Sequence, residues 1–278
     1  LVGSEMCIRD RGQSGQAYLW FYQVFASLGG HYFDPGTMNA LINGPTGQRA
    51  MTMLKSFFSF APPGAQSWGP VEVWSTFLKG QLAMTVTWPP MGRLSAGYGS
   101  TSPLMSFVPV SRIRGKFAAA IPPGGTSEGA TGYCIGVFAD SKNPDLAFSL
   151  LMWATAPDIY LDLVSLPFTL LKPNRYSMFS SPVSKHLWPG ADQYYATLEQ
   201  EIIHVSLDPK LFGSQRYNEA LDQTCTTIYA GADVKKSLDA CAAKWNSITD
   251  SVGRSRQKSA YADCLKEVAQ VRTMAAGH

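Results

Sequence analysis

The chain has 278 residues, 45% hydrophobic and 12% aromatic, enough apolar material for one large core or two smaller ones, which argues against a disordered chain. Lys and Arg number 23 against 20 Asp and Glu, and the resulting +3 is spread without a basic run, which argues against a phosphate-tracking nucleic-acid surface and an electrostatic membrane anchor. The longest apolar stretches, around 117–121 and 148–156, fall short of the roughly 20 residues that span a bilayer.

In chain order, LVGSEMCIRDRG (1–12) has neither the apolar core nor the cleavage site of a signal peptide and reads as a non-native leader joined to a truncated reading frame. Its Arg9 and Arg11 cancel Glu5 and Asp10, so the charge argument holds without it. QAYLWFYQVFASL (16–28) is a strongly apolar helix closed by Gly29-Gly30. After Pro45-Thr46 a second helix sets Ala50, Met53, Leu54, Phe57 and Phe58 on one stripe. A Pro/Gly-rich loop (61–70) leads to a short helix with Val71, Trp74, Phe77 and Leu78. A strand at 82–88 then runs into Pro89-Pro90, which cannot continue a ladder.

Residues 92–115 read as loops with one short strand near 107–110, followed by a buried strand at 117–121, a glycine-rich loop at 122–132 and a strand at 133–138. Asn143-Pro144-Asp145 opens a helix to about Thr155, and Pro157 starts another. Strand, loop, strand and helix make an α/β unit. The last hundred residues are mainly helical. Tyr217, Ala220, Leu221, Thr224 and Ile228 form one stripe, and Asp233 caps a second helix carrying Val234, Leu238, Cys241, Ala242, Trp245 and Ile248. Gly231 between them predicts an antiparallel pair, and 258–271 forms a looser final helix.

Few motifs carry chemistry. The five Cys make no CxxC pair and the four His are scattered, so no metal site is expected. Cys225 and Cys241 flank Gly231, where a disulfide is geometrically open, although small buried thiols are the favoured reading. GTSEG (125–129) matches GxSxG, but it follows Pro122-Pro123-Gly124 and precedes a β-like run, so a flexible loop accounts for it better than a nucleophile at Ser127. Glu72, Glu128, Asp140, Asp145, Asp158 and Asp162 mostly sit at helix starts, and nothing selects a glycosidase pair among them. GxxxxGK[ST] and GxGxxG are absent, and no cofactor is implied. Aromatic residues do stand beside loops and prolines: Tyr18, Trp20 and Tyr22, then Trp88, Tyr133, and Tyr176 next to Arg175. Such rings match the C–H face of a sugar while amides, hydroxyls and Arg satisfy its hydroxyls. Trp20, Phe21 and Phe25 read as core, whereas Trp88 is open to both readings, stacking residue or core plug.

The order of FASLGGHYFD, TGQRAMTML, FLKGQLAMTVTW, IPPGG, TGYCIGVFADSKNPDLAFSLLMWAT and YAGADVKKSLDACAAKWNSI resembles the extracellular solute-binding proteins of ABC importers, in particular carbohydrate-binding family 1. The resemblance implies an α/β fold of the type II periplasmic-binding-protein class, two lobes with the N-terminal lobe incomplete. It implies 13–115 and 172–278 as the C-terminal lobe and 116–171 as the returning segment of the other. It implies a monomer in the periplasm or another extracytoplasmic space, without cofactor or catalysis, that captures a sugar or polyol between its lobes for delivery to permease subunits. The ligand-binding positions carried over are Gln16 and Tyr18, Trp88, the loop exit Thr131, Gly132 and Tyr133, and Arg175. Trp88-Pro89-Pro90 departs from the family's commoner Gly/Asp-x-Trp pattern. Arg175 and Arg93, without an acid cluster, suit a neutral or weakly anionic ligand. A hydrolase and a ligand-sensing receptor domain remain the alternatives.

Overall fold

A computed structural model describes residues 8–9, 15–99, 101–122, 124–128, 135–206 and 208–276. Its elements run β1 (Ile8–Arg9), α1 (Ala17–Ser27), α2 (Pro45–Phe57), α3 (Pro70–Leu78), β2 (Met84–Thr85), α4 (Pro90–Ser95), β3 (Ser127–Glu128), α5 (Pro144–Ala154) and α6 (Pro157–Ser165). They continue with α7 (Tyr176–Phe179), α8 (Pro182–Lys185), α9 (Ala191–Ile203), β4 (Val205–Ser206), α10 (Ser214–Tyr229), α11 (Val234–Val252) and α12 (Arg254–Ala276). Two compact units result: Leu1–Thr87 with Ala120–Ala130 and Gln200–His278, and Trp88–Ala119 with Thr131–Glu199. These breaks describe a different division from lobe boundaries at 115/116 and 171/172.

In the first unit the helical stripes close on one another. Trp245 is fully buried, stacks on Phe33 at 5.1 Å and meets Tyr217 edge-on at 5.4 Å. Its indole Nε1 donates to the Tyr217 carbonyl at 3.0 Å, and the Tyr217 hydroxyl bonds Thr249 Oγ1 at 2.9 Å and accepts from Gln257 Nε2 at 3.0 Å. Trp245 faces Tyr217 while Cys241, one turn earlier, faces Thr224, further along α10, so α10 and α11 run antiparallel as the glycine at 231 predicts. Gly231 takes φ +114°, and Asp233 caps α11 by accepting from Lys236 N at 2.8 Å. The start of α1 is held from α10: the buried Asp222 carboxylate accepts from Gly15 N at 2.5 Å and Ala17 N at 2.8 Å. A carboxylate is favoured there because the first turn of a helix leaves N–H groups unpaired at the positive end of its dipole.

Strands are shorter than the sequence predicts. Of 82–88 only Met84–Thr85 joins a ladder, parallel to Ile8–Arg9, and Ser127–Glu128 pairs in parallel with Val205–Ser206. Ile8–Arg9 belong to the segment read as a non-native leader; the rest of 1–12 lies outside the described residues. The strands expected at 107–110 and 117–121 do not form, nor does one at 135–138, the described part of 133–138. Apolar β-formers make a strand only where a neighbour meets their N–H and C=O groups, and no such neighbour reaches them among the described residues. Ile135 is 67% and Phe138 87% exposed. Helix α5 begins at Pro144 as predicted, although Asn143 makes no side-chain cap bond, and Leu146, Phe148, Leu150, Met152 and Trp153 all stand exposed.

Cys225, Cys241 and Cys264 are buried, and Cys241 carries a thiol, so no disulfide joins it to Cys225. Burial pushes the Cys241 thiol up to about 11, opposed by the Thr224 hydroxyl. The folded thiol thus stays neutral where an unfolded one ionises, and the stability it carries is complete below about pH 8.5 and lost as pH climbs through about 11. Urea midpoints are expected to fall between pH 9 and 11, with a shallower fall for Cys241→Ala; identical pH slopes for the two proteins would contradict this.

Candidate functional site

Trp88 opens the second unit, partly buried, and the two prolines after it decide the local path. Pro89 cannot donate to a ladder, and Pro90 is suited to the first helical position, so the chain turns at once into α4. Here Gly92 is required by close approach: a Cβ on it would lie 2.2–2.6 Å from three ring carbons of Tyr194, whose hydroxyl donates to the Pro89 carbonyl. One residue on, Arg93 is 3% exposed. Its Nη1 donates to Leu166 O at 3.1 Å, Thr169 O at 2.6 Å and Thr169 Oγ1 at 2.9 Å, and its Nη2 donates to Val164 O.

Those acceptors surround the C-terminal end of α6, where carbonyls lack helical partners and the dipole is negative. A buried cation is therefore stabilised without a carboxylate, and no ion pair includes Arg93 among the described residues. Its guanidinium also lies 5.4 Å from the Tyr98 ring and 5.9 Å from Trp188. Beside it Pro89, Lys172, Trp188, Tyr194 and Tyr195 border a cavity of about 10 Å³, the space of one water. Burial raises the Tyr195 phenol, with Arg93 opposing the rise. The indole Nε1 of Trp188 is a buried donor with no acceptor among the described residues. Trp188, Tyr194 and Tyr195 are buried around room for a single water, so these rings pack the interior of the second unit.

The positions predicted from sequence are spread over both units. Gln16 precedes α1 and its side chain makes no cap bond; Tyr18 lies in the first turn, edge-on to Tyr22 at 5.7 Å and packed against the core. Arg175 donates through Nη2 to Thr155 O at 2.7 Å, at the end of α5, and through Nη1 to Asn174 Oδ1 at 3.0 Å, so one arm of its guanidinium ties down a helix terminus. Thr131, Gly132 and Tyr133 lie outside the described residues. Sequence reading missed Trp188, Tyr194 and Tyr195 altogether; the only local signal is Trp188-Pro189-Gly190 just before α9. Ser127 lies in β3 rather than on a strand-to-helix turn, and no group of three His, Cys, Asp or Glu able to hold a metal occurs among the described residues. No single described helix is long and apolar enough to cross a membrane.

The profile of the bacterial extracellular solute-binding protein family matches residues 5–160, more than half of the chain. A probable amino-acid ABC transporter periplasmic-binding protein of Sinorhizobium fredii is 24% identical over 148 residues, 53% of this chain and 32% of the relative. Among crystal structures, the ABC transporter solute-binding protein of Agrobacterium vitis with bound D-mannitol superposes with a TM-score of 0.65 at 20% identity, covering 88% of this chain and 61% of its own. That of Agrobacterium radiobacter with ribitol gives 0.61 at 19%, covering 87% and 59%. Maltose-bound MalE3 of Thermotoga maritima gives 0.67 at 16%, again 87% and 59%. The fold is therefore theirs, the α/β type II periplasmic-binding-protein class, and the chain spans about 60% of the length of these structures.

Proposed function

The chain belongs to the bacterial extracellular solute-binding proteins, and from that premise we propose that it captures a sugar or polyol for an ABC importer. The family match across 5–160, which includes Trp88 and Arg93, carries this reading. D-mannitol, ribitol and maltose in proteins of the same fold support the ligand class. Capture is non-covalent. Trp88 stacks on the ligand, Gln16, Tyr18, Thr131, Gly132, Tyr133 and Arg175 supply the remaining contacts, and the loaded protein docks as a monomer on permease subunits outside the cytoplasm. With Arg175 as the cation among these contacts, in no ion pair among the described residues, the ligand is neutral or weakly anionic.

The test is calorimetric titration of D-mannitol, ribitol, maltose, an amino acid and a polyamine against the chain and its Trp88→Ala variant. A sugar or polyol is expected to bind, and the variant to weaken that binding at least about tenfold, equivalent to about 1.4 kcal/mol, with a near-normal melting temperature. Binding of the amino acid or the polyamine alone would overturn the ligand class. Retained affinity with a large drop in melting temperature would move Trp88 to the core.

A further inference from the structure

The first unit holds a second cavity, of about 390 Å³, between the segment leading into α10 and the first half of α12, within the roughly 300–1,000 Å³ of small-molecule sites. We propose that it binds a short zwitterion of peptide type, carboxylate toward Arg256 and Lys210 and ammonium toward Asp263 and Glu267. The sequence sets the polarity. Arg256, Ala260, Asp263 and Glu267 follow one another at intervals of four, three and four and so share one face of α12, with the cation at its start and the acids beyond. At 1.5 Å per residue, Arg256 and Asp263 are about 10 Å apart along the axis, the length of an extended tripeptide.

The wall facing the helix is built in place. Phe212 is clipped to α12 through both backbone groups, its N donating to Gln257 Oε1 at 3.1 Å and its O accepting from Gln257 Nε2 at 2.9 Å. The Arg256 guanidinium lies over the Phe212 ring at 3.6 Å, which fixes a cation at one end of the cavity. Buried Cys264 forms the floor, its Sγ 3.7 Å from the Asp208 carbonyl. Burial dominates the upward push on that thiol; Glu267 and Asp208 add to it and Lys210 opposes it, so charges of both signs lie near the floor.

No close ion pair among the described residues neutralises these charges. Lys210, Arg256 and Glu267 enter no ion pair among the described residues, and Asp263 makes only a 3.7 Å contact with Lys266 in which both side chains are mostly exposed. A cavity presenting both signs selects a dipolar ligand over a singly charged one, and a neutral sugar meets neither end. The site is thus independent of the sugar reading.

The experiment titrates the full chain with trialanine and with N-acetyl-trialanine amide, which has the same length and no end charges, following backbone amide shifts by NMR. Trialanine is expected to shift Phe212 and residues 256–267 and to bind at least tenfold more tightly than the capped peptide. Arg256→Gln and Glu267→Gln, both on exposed side chains, should each weaken it at least threefold; Lys210→Met serves if either fails to fold. Equal binding of the two peptides, no shift at millimolar trialanine, or variants that bind like the parent would overturn the proposal.

Discussion

Trp245→Ala is expected to cost the first unit about 4 kcal/mol, in the range of large aromatic deletions from closed cores. Three losses combine. The indole leaves a void enclosed on every side, since Trp245 has no exposed surface. Its stacking on Phe33 at 5.1 Å and its edge contact with Tyr217 at 5.4 Å disappear. The Tyr217 carbonyl, buried inside the α10–α11 pair, loses the donor at 3.0 Å. Collapse into the void is resisted because Tyr217 is pinned by Thr249 and Gln257 at 2.9 and 3.0 Å. For a unit of this size the melting temperature should fall by roughly 10 °C, and a fall of less than about 3 °C by circular dichroism would show that the neighbours repack.

Arg93→Met should be nearly as costly, about 3–5 kcal/mol, in the second unit. Methionine replaces the stem, so packing is largely kept and the loss is electrostatic. The Val164, Leu166 and Thr169 carbonyls lose a shared donor, and each buried acceptor left without a partner costs roughly 1–3 kcal/mol, not additively. Arg93→Lys keeps the charge but offers a single ammonium where a fork now spans several acceptors, so it should recover only part of the loss. Hydrogen exchange gives the readout: amides of α6 and of 166–171 are expected to lose protection in the methionine variant while those around Trp245 keep theirs. Unchanged protection in α6 would mean that Arg93 is not what closes its end.

Local chemistry made the helices legible and left the strands uncertain. Pro45, Pro144 and Pro157 each stand at the first position of a helix, and Asp233 caps α11, because prolines and short acids act within one turn of themselves. Of the stripe from Tyr217 to Ile228, Tyr217, Leu221 and Ile228 are buried as its spacing predicts, while Ala220 and Thr224 are half-buried. By contrast, 117–121 has the composition of a buried strand, and only the absence of a pairing neighbour among the described residues decides against it. The site divides in the same way. Trp88 was visible because Pro89-Pro90 punctuates the chain after it. The role of Arg93 was not, since its acceptors lie 71 to 76 residues further on. Tyr194 is 105 residues from the Pro89 carbonyl it bonds, a distance at which spacing carries no information.

The clamp of Asp222 on the start of α1 joins groups 205 residues apart. On a ribosome adding about 5–20 residues per second, α1 leaves the exit tunnel roughly 10–40 s before its clamp and the helices that cover it have been made. Phe25 meets Tyr32, made within a few residues of it, at 5.6 Å, but the part of the first unit's core that α10 and α11 supply is missing throughout that interval. The same interval makes nascent chains, rather than folded molecules, the stage at which a holdase chaperone has most to bind.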